Sequence, residues 1–282
     1  MSMLDPGLPH GRRIELSRRG TTFVREVEGP PGAPTLLLLH GWGASGGMNW
    51  LHVFEPLSRH FNVIAPDLRG HARGLRSRRI FRLADCADDC AMTLEQLGTG
   101  PAIAVGYSMG GPVAQLLWRR HRELVSGLVL CATAGGFIPE RAPRRAFQSY
   151  MVASSAAMRL AAAVRPPGLP NLPFWPRALP AWTAAEMRRH DWRMVVEAGQ
   201  SLSTYNATRW VHEIDVPTAV VCTEGDRGVR PDLQRALADA IPGATLHPLA
   251  DGHLACARPS WAPVLVEACL SVARRADRSA AP

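Results

Sequence analysis

Gly106-Tyr107-Ser108-Met109-Gly110-Gly111 sets a serine two positions from a glycine on either side. It stands directly after the apolar run 102–105 and before a helical pattern that reaches His121. A chain that leaves a strand and enters a helix within one turn strains the backbone of the turn residue, and flanking glycines relieve the crowding. The Ser108 hydroxyl would then be held out at the carboxyl edge of a sheet. Pro112 falls in the first helical turn, where a missing N–H costs nothing. The same helix start aims its positive end and the Met109 N–H at negative charge developing beside the serine. A bare Gly-Ser-Gly would be a flexible turn; the strand before it and the helix after it argue for a nucleophile.

A second group of reactive residues, Cys86 and Cys90, lies four apart and so on one face of a helix. Two thiolates do not make a zinc site, and no second pair with ligand spacing follows, so a structural role is expected and no metal. His253 and Cys256 read the same way.

The elements that would position Ser108 alternate along the chain. Short apolar runs at 13–16, 22–28, 35–39, 62–65, 102–105, 128–131, 219–222 and 244–246 are separated by helical spacing at 51–59, 83–97, 109–121, 233–241 and 261–273. This is the pattern of a largely parallel sheet covered on both faces. It breaks once. From 136 to 214 no buried strand appears; helical stretches at 151–164 and 182–210 flank six prolines between Pro166 and Pro180. Core-like strands on both sides make 136–214 an inserted cap, with 1–135 and 215–282 as one core domain and 276–282 as a frayed tail.

With its serine on such a turn, the chain resembles the α/β-hydrolase family over nearly its whole length, in four motifs that follow the family's order. The resemblance implies an α/β fold: a mostly parallel, doubly wound sheet with a helical cap inserted between strands 6 and 7. The first of the four, His40-Gly41-Trp42-Gly43 after the run 35–39, is where the family places another oxyanion donor, here the Trp42 backbone N–H beside that of Met109. Asp67-Leu68-Arg69-Gly70-His71-Ala72-Arg73-Gly74 is similar to an architectural turn of the family, but has Ala72 and Gly74 where glycine and serine are usual. The third group, the strand end 220–226, matches the acid-bearing position best at Asp226, with Glu224 as the fallback. The last, Asp251-Gly252-His253, precedes the final helix and completes the order serine, acid, histidine.

The resemblance implies acyl transfer to water through an acyl-serine. Ser108 would be the nucleophile, His253 its base, and Asp226 the group that fixes the imidazole tautomer. The expected substrate is a small to medium apolar carboxylic ester or thioester, with no metal or organic cofactor required. A carbon–carbon bond hydrolase, a cofactor-free perhydrolase and an acyltransferase keep the same three residues, and a silent binding protein is the rival of another class. Tyr107, Trp175 and Trp182 are candidates to line the substrate pocket, because the inserted segment holds half of the chain's aromatic side chains.

At 282 residues and 46% hydrophobic, the chain can bury a core without staples, and 20% charged residues exclude global disorder. All 32 basic residues are arginine and the formal net charge is +8. Complete absence of lysine points to codon usage as much as to a binding surface, and no recognition helix or RNA-stacking motif accompanies the charge, so no nucleic-acid partner is expected. Part of the charge is local, at Arg69, Arg73, Arg76, Arg78, Arg79 and Arg82, where a solvated loop competes with an anion site at the substrate entrance. Residues 1–13 hold no apolar stretch of secretory length. The uncharged run 96–118 carries five glycines and two prolines, so it reads as strand, turn and helix rather than a span. Six irregularly spaced cysteines complete the expectation of a cytoplasmic protein with no membrane insertion.

Overall fold

The computed structural model describes residues 6–137 and 181–280. Its centre is a strand, β3 (Thr35–Leu39), whose four leucines are all fully buried. Leu37 and Leu39 pack into the core on one face of the sheet, and Leu36 and Leu38 into the core on the other. A run of apolar residues without alternation is what a parallel strand covered on both faces requires.

Around it lie β1 (Gly11–Leu16), β2 (Gly20–Val27), β4 (Asn62–Pro66), β5 (Ala102–Tyr107), β6 (Val125–Cys131), β7 (Thr218–Thr223) and β8 (Thr245–Leu249). They form one eight-stranded sheet in the order β1-β2-β4-β3-β5-β6-β7-β8. The β1–β2 hairpin enters antiparallel against β4, and every later pairing is parallel. The order runs outward from β3 in two directions, and the neighbouring edges of β3 and β5 open a crevice at their carboxyl ends.

Helices α3 (Leu83–Gln96), α4 (Gly110–Arg120) and α7 (Pro231–Ala240) cover one face; α1 (Gly46–Trp50), α2 (Phe54–Ser58) and α8 (Ala262–Ala280) cover the other. In α4 the buried residues Val113, Ala114, Leu117 and Trp118 repeat at helical spacing and face the sheet. The helix expected at 51–59 is instead two short ones. Ser45 accepts from the Met48 N–H and starts α1 earlier, and the chain breaks before Phe54, so that Pro56 falls in the first turn of α2, where its lacking N–H needs no partner. The paired glycines Gly46 and Gly47 hid the first of these from helix propensity. The last helix continues to Ala280, through most of the stretch read as a frayed tail.

Between β6 and β7 the described part of the insertion contains α5 (Ala181–Met187) and α6 (Trp192–Thr204). Asp191 caps α6 by accepting from the Met194 N–H, and Met194, Val195 and Ala198 turn a buried face toward the core. The helix expected at 151–164 and the proline-rich stretch lie outside the described residues. Among the described residues no helix is long and apolar enough to cross a membrane.

Candidate active site

Ser108 has φ 50, a left-handed backbone that a residue with a Cβ adopts only under constraint. The constraint is visible on all sides. Its N–H donates to the Cys131 carbonyl at 2.9 Å, and its carbonyl accepts from the Gly111 N–H at 3.0 Å and from the Thr133 hydroxyl at 2.8 Å. A Cβ on Gly106 would lie 2.3 Å from the Gly110 carbonyl oxygen, and one on Gly110 would lie 1.9 Å from that of Leu39. Both glycines are therefore required by backbone contact, and the spacing read from the sequence has a steric cause.

The serine so presented meets a histidine and a carboxylate from two neighbouring loops. Ser108 Oγ lies 3.0 Å from His253 Nε2, and His253 Nδ1 lies 2.8 Å from Asp226 Oδ2. With the ring proton on Nδ1, the imidazole donates to Asp226 and its Nε2 accepts from the serine. The Asp226 side chain is fully buried, while that of His253 keeps 30% exposure. The two loops are laced together by Glu224 N–H to Leu249 carbonyl and Gly225 N–H to Asp251 carbonyl bonds, both 2.9 Å. The imidazole rests against Gly228, whose added Cβ would come within 3.1 Å of the ring.

Asp226 is the acid of this arrangement, and Glu224 is exposed and pairs with Arg235. Asp226 Oδ1 accepts from the Gly228 and Val229 N–H groups at 2.7 and 2.8 Å, and Oδ2 accepts from the Thr223 hydroxyl at 2.8 Å besides His253. Burial alone would raise its pKa. The bonds from His253, Val229 and Thr223 outweigh burial and hold the carboxyl below its ordinary range, so it is ionised whenever the histidine is poised to act.

Across the serine stands the loop after β3. A Cβ on Gly41 would lie 3.4 Å from Ser108 Cβ, so this loop and the elbow are in contact. Asn49 Oδ1 accepts from the Gly41 N–H at 3.0 Å and fixes the loop from α1. Trp42 is 45% exposed, and its indole Nε1–H donates to the Val195 carbonyl of α6 at 2.6 Å. Neither the Trp42 nor the Met109 backbone N–H has an acceptor among the described residues. A backbone donor without a protein partner can hold an oxygen that gains charge.

Other expected site residues fall elsewhere. Tyr107 is 3% exposed; its hydroxyl donates to the His253 carbonyl at 2.8 Å, and its ring packs edge-on against Trp50 and Trp261. Side chains alternate along β5, so Tyr107 points into the core beneath the histidine loop and offers no surface to a substrate. Trp182 lies against Gly47 of α1, beside Leu8 and Arg25. Trp175 lies outside the described residues. Trp210 stacks on Trp118 of α4, so this cap aromatic serves as core. Cys86 and Cys90 are both buried on the inner face of α3, where burial pushes the thiol pKa values up.

The arginine run divides. Arg69 makes a buried two-pronged pair with Asp89, both contacts 2.8 Å. Arg73 does the same with the fully buried Glu186 of α5, at 2.9 and 2.7 Å, and Arg76 donates to the Gly74, Ala72 and Arg189 carbonyls. These three are struts, two of them between core and cap; Arg76 is nonetheless exposed, as are Arg78, Arg79 and Arg82. Ala72 has φ 38, in the left-handed region for which glycine is the usual choice.

Sequence reasoning passed over the residues that support the site. Thr133 and Thr223 carry no motif. Gln234 does carry a signal: it is a polar residue on the buried stripe of α7 with Leu237 and Ala238, and it bonds the Thr223 N–H, the Val229 carbonyl and, at 3.3 Å, Asp226. Three histidines were also missed as a group. His40, His71 and His190 pack edge to face with ring centres 5.3 and 5.5 Å apart, joining the loop after β3 to the cap. His190 accepts from the Ala72 N–H at 2.6 Å and reaches the Gly43 carbonyl at 3.0 Å.

Known proteins share this arrangement of elements. The chain is 29% identical over 256 residues to the poly(3-hydroxyalkanoate) depolymerase of Ectopseudomonas oleovorans, covering 86% of each chain. It is 36% identical over 107 residues to the pimeloyl-[acyl-carrier protein] methyl ester esterase of Vibrio vulnificus, a match that spans 38% of this chain and 40% of that protein. The crystal structure of a hydrolase from Pseudomonas aeruginosa PA01 superposes with a TM-score of 0.75 at 22% identity, over 94% of this chain and 98% of that one. The family described as alpha/beta hydrolase fold matches residues 34–257, so this chain belongs to the α/β-hydrolase fold family, as a hydrolase enzyme.

Proposed function

We propose that the protein hydrolyses carboxylic esters or thioesters of small to medium apolar acyl groups through an acyl-serine intermediate. The observation that carries this reading is the unbroken chain from Ser108 Oγ through His253 to Asp226, with contacts of 3.0 and 2.8 Å. His253 Nε2 takes the hydroxyl proton as Ser108 attacks the acyl carbonyl, and the imidazolium so formed is stabilised by the ionised Asp226. The oxygen that gains charge sits between the Trp42 and Met109 N–H groups. Collapse of the tetrahedral species expels the alcohol or thiol, which leaves with the proton from His253. Water then enters, gives its proton to the same nitrogen, attacks the acyl-serine and releases the acid.

Two relatives whose names state a depolymerase of a poly(3-hydroxyalkanoate) and a methyl ester esterase support an ester substrate. A series of nitrophenyl esters from acetate to decanoate, with matched thioesters, tests the reading in wild type and Ser108→Ala. A rate that peaks within the series and vanishes in the variant is expected. Equal rates along the series contradict the apolar acyl site, and hydrolysis by a folded Ser108→Ala protein contradicts the serine mechanism.

A further inference from the structure

A cavity of about 470 Å³ opens at the seam between the β1–β2 hairpin, the turn after β4 and the cap, and it contains none of the residues assigned above to catalysis. Its walls are Arg13, Arg73, Arg76, Arg189, Thr21 and the backbone at Ala72 and Gly74. Four guanidinium groups and a hydroxyl converge there, and among the described residues no acidic one lines the cavity. Among the described residues two carboxylates lie within ion-pair distance of these arginines. Glu186 binds Arg73 and Arg189, and Asp67 lies 3.9 Å from Arg73.

Four guanidinium groups set against these carboxylates leave the wall of the cavity net positive. Arg76 has its amino groups on three backbone carbonyls and no carboxylate within ion-pair distance among the described residues. Desolvation holds its pKa below the ordinary arginine value against the opposing fields of Asp191 and Asp67, and the field of Arg13 acts in the same direction as desolvation. Arg13 is exposed on β1 and makes no hydrogen bond or ion pair among the described residues, so its whole fork of donors is available. Arg73, braced by Glu186 and lying 4.9 Å over the Phe23 ring, gives the site a fixed wall. Like charges held this close repel unless an anion stands between them, and guanidinium forks match tetrahedral oxyanions in geometry.

We propose that this cavity binds a phosphate-class dianion, either the phosphate monoester group of a larger ligand or inorganic phosphate. Its size suits one small group and its volume lies in the range of ligand pockets. The anion joins Arg13 and Thr21 of the hairpin to Arg189 of the cap, so binding stabilises the seam between them. This inference is independent of the chemistry at Ser108.

Calorimetry and thermal unfolding with inorganic phosphate, in a buffer free of other oxyanions, test it. Wild type is expected to bind one phosphate and to unfold at higher temperature as phosphate rises. Arg13→Gln is expected to bind about tenfold more weakly, the value of one charged hydrogen bond. Arg12→Gln, on the other face of β1 and paired with Glu26, serves as the charge-matched control and is expected to bind like wild type. Thr21→Val provides an independent second variant, and unfolding without phosphate confirms that each variant is folded. A phosphate monoester that binds more tightly than phosphate itself identifies the site as the handle of a larger ligand; equal binding identifies free phosphate. No heat and no shift in wild type at millimolar phosphate, or Arg13→Gln binding as well as wild type, overturns the proposal.

Discussion

The Trp42 indole donates to the Val195 carbonyl at 2.6 Å, so the loop beside Ser108 is tied to the cap by the side chain of the residue whose backbone N–H is the proposed oxyanion donor. In the proposed mechanism one residue thus has two separable parts, a backbone donor and a side-chain tether. Trp42→Phe keeps the first and removes the second. It is expected to lower kcat/KM for the preferred ester about tenfold, as a misplaced donor does, while stability falls by only about 1 kcal/mol, the net worth of one hydrogen bond. Unchanged kinetics would mean that the tether does not set the loop.

Asp226→Asn retains an acceptor for the Gly228 and Val229 N–H groups but presents an amide where His253 expects a carboxylate. A loss of about 10⁴-fold in kcat is expected from the wrong tautomer. The pH dependence of stability changes as well. A carboxyl held below its ordinary range contributes stability that is fully present above the unfolded value, near 3.8, and is lost as pH falls through the folded value. Acid unfolding of wild type should therefore show a slope in that region that Asp226→Asn lacks.

Gly110→Ala would set a Cβ 1.9 Å from the Leu39 carbonyl oxygen, a clash with backbone that no rotamer relieves. The strand and helix must separate, at a cost of about 3 kcal/mol or more. Chemical denaturation of the purified variant, or its failure to accumulate as folded protein, checks this. Stability within about 0.5 kcal/mol of wild type would contradict the steric account.

Burial pushes His190 down to about 4 and His40 down to about 3, and it drives His71 well below the ordinary histidine value. The unfolded chain takes up protons below its value of 6.5, and the folded chain refuses them until much lower pH. Stability therefore falls as pH drops from 6.5 toward 4, by up to about 1.4 kcal/mol per pH unit for each such histidine. His190→Gln should remove one histidine's share of that slope. Urea unfolding at several pH values across this window measures it, and an unchanged slope would contradict the assignment of a neutral, buried His190.

Much of this architecture was legible because its signals are local and steric. The elbow at Ser108 declares itself by glycines that backbone contact demands, and the four buried leucines of β3 declare a strand covered on both faces. The parallel strands were located within a few residues, and the order serine, acid, histidine pointed to three residues that the fold brings into hydrogen-bond contact. What stayed hidden depends on pairings distant in sequence. Tyr107 read as a pocket residue because the elbow motif does not say which face of β5 it occupies. The arginines between 69 and 82 read as a solvated loop or an entrance site, because nothing nearby in sequence announces Glu186, more than a hundred positions on, as the partner of Arg73. The edge-to-face row of His40, His71 and His190 stayed hidden for the same reason, since it joins three segments distant in sequence. Helix 51–59 failed through Gly46 and Gly47, whose low propensity is overridden by the Ser45 cap.

The central claim is that Ser108 is an activated nucleophile. Intact-mass and peptide analysis after exposure to a fluorophosphonate probe tests it most directly, because phosphonylation needs the serine, its base and the oxyanion donors together but no knowledge of the substrate. One adduct per chain is expected, on the peptide that contains Ser108, and none on folded Ser108→Ala. An unlabelled wild-type protein, or an adduct that persists in Ser108→Ala, would contradict it.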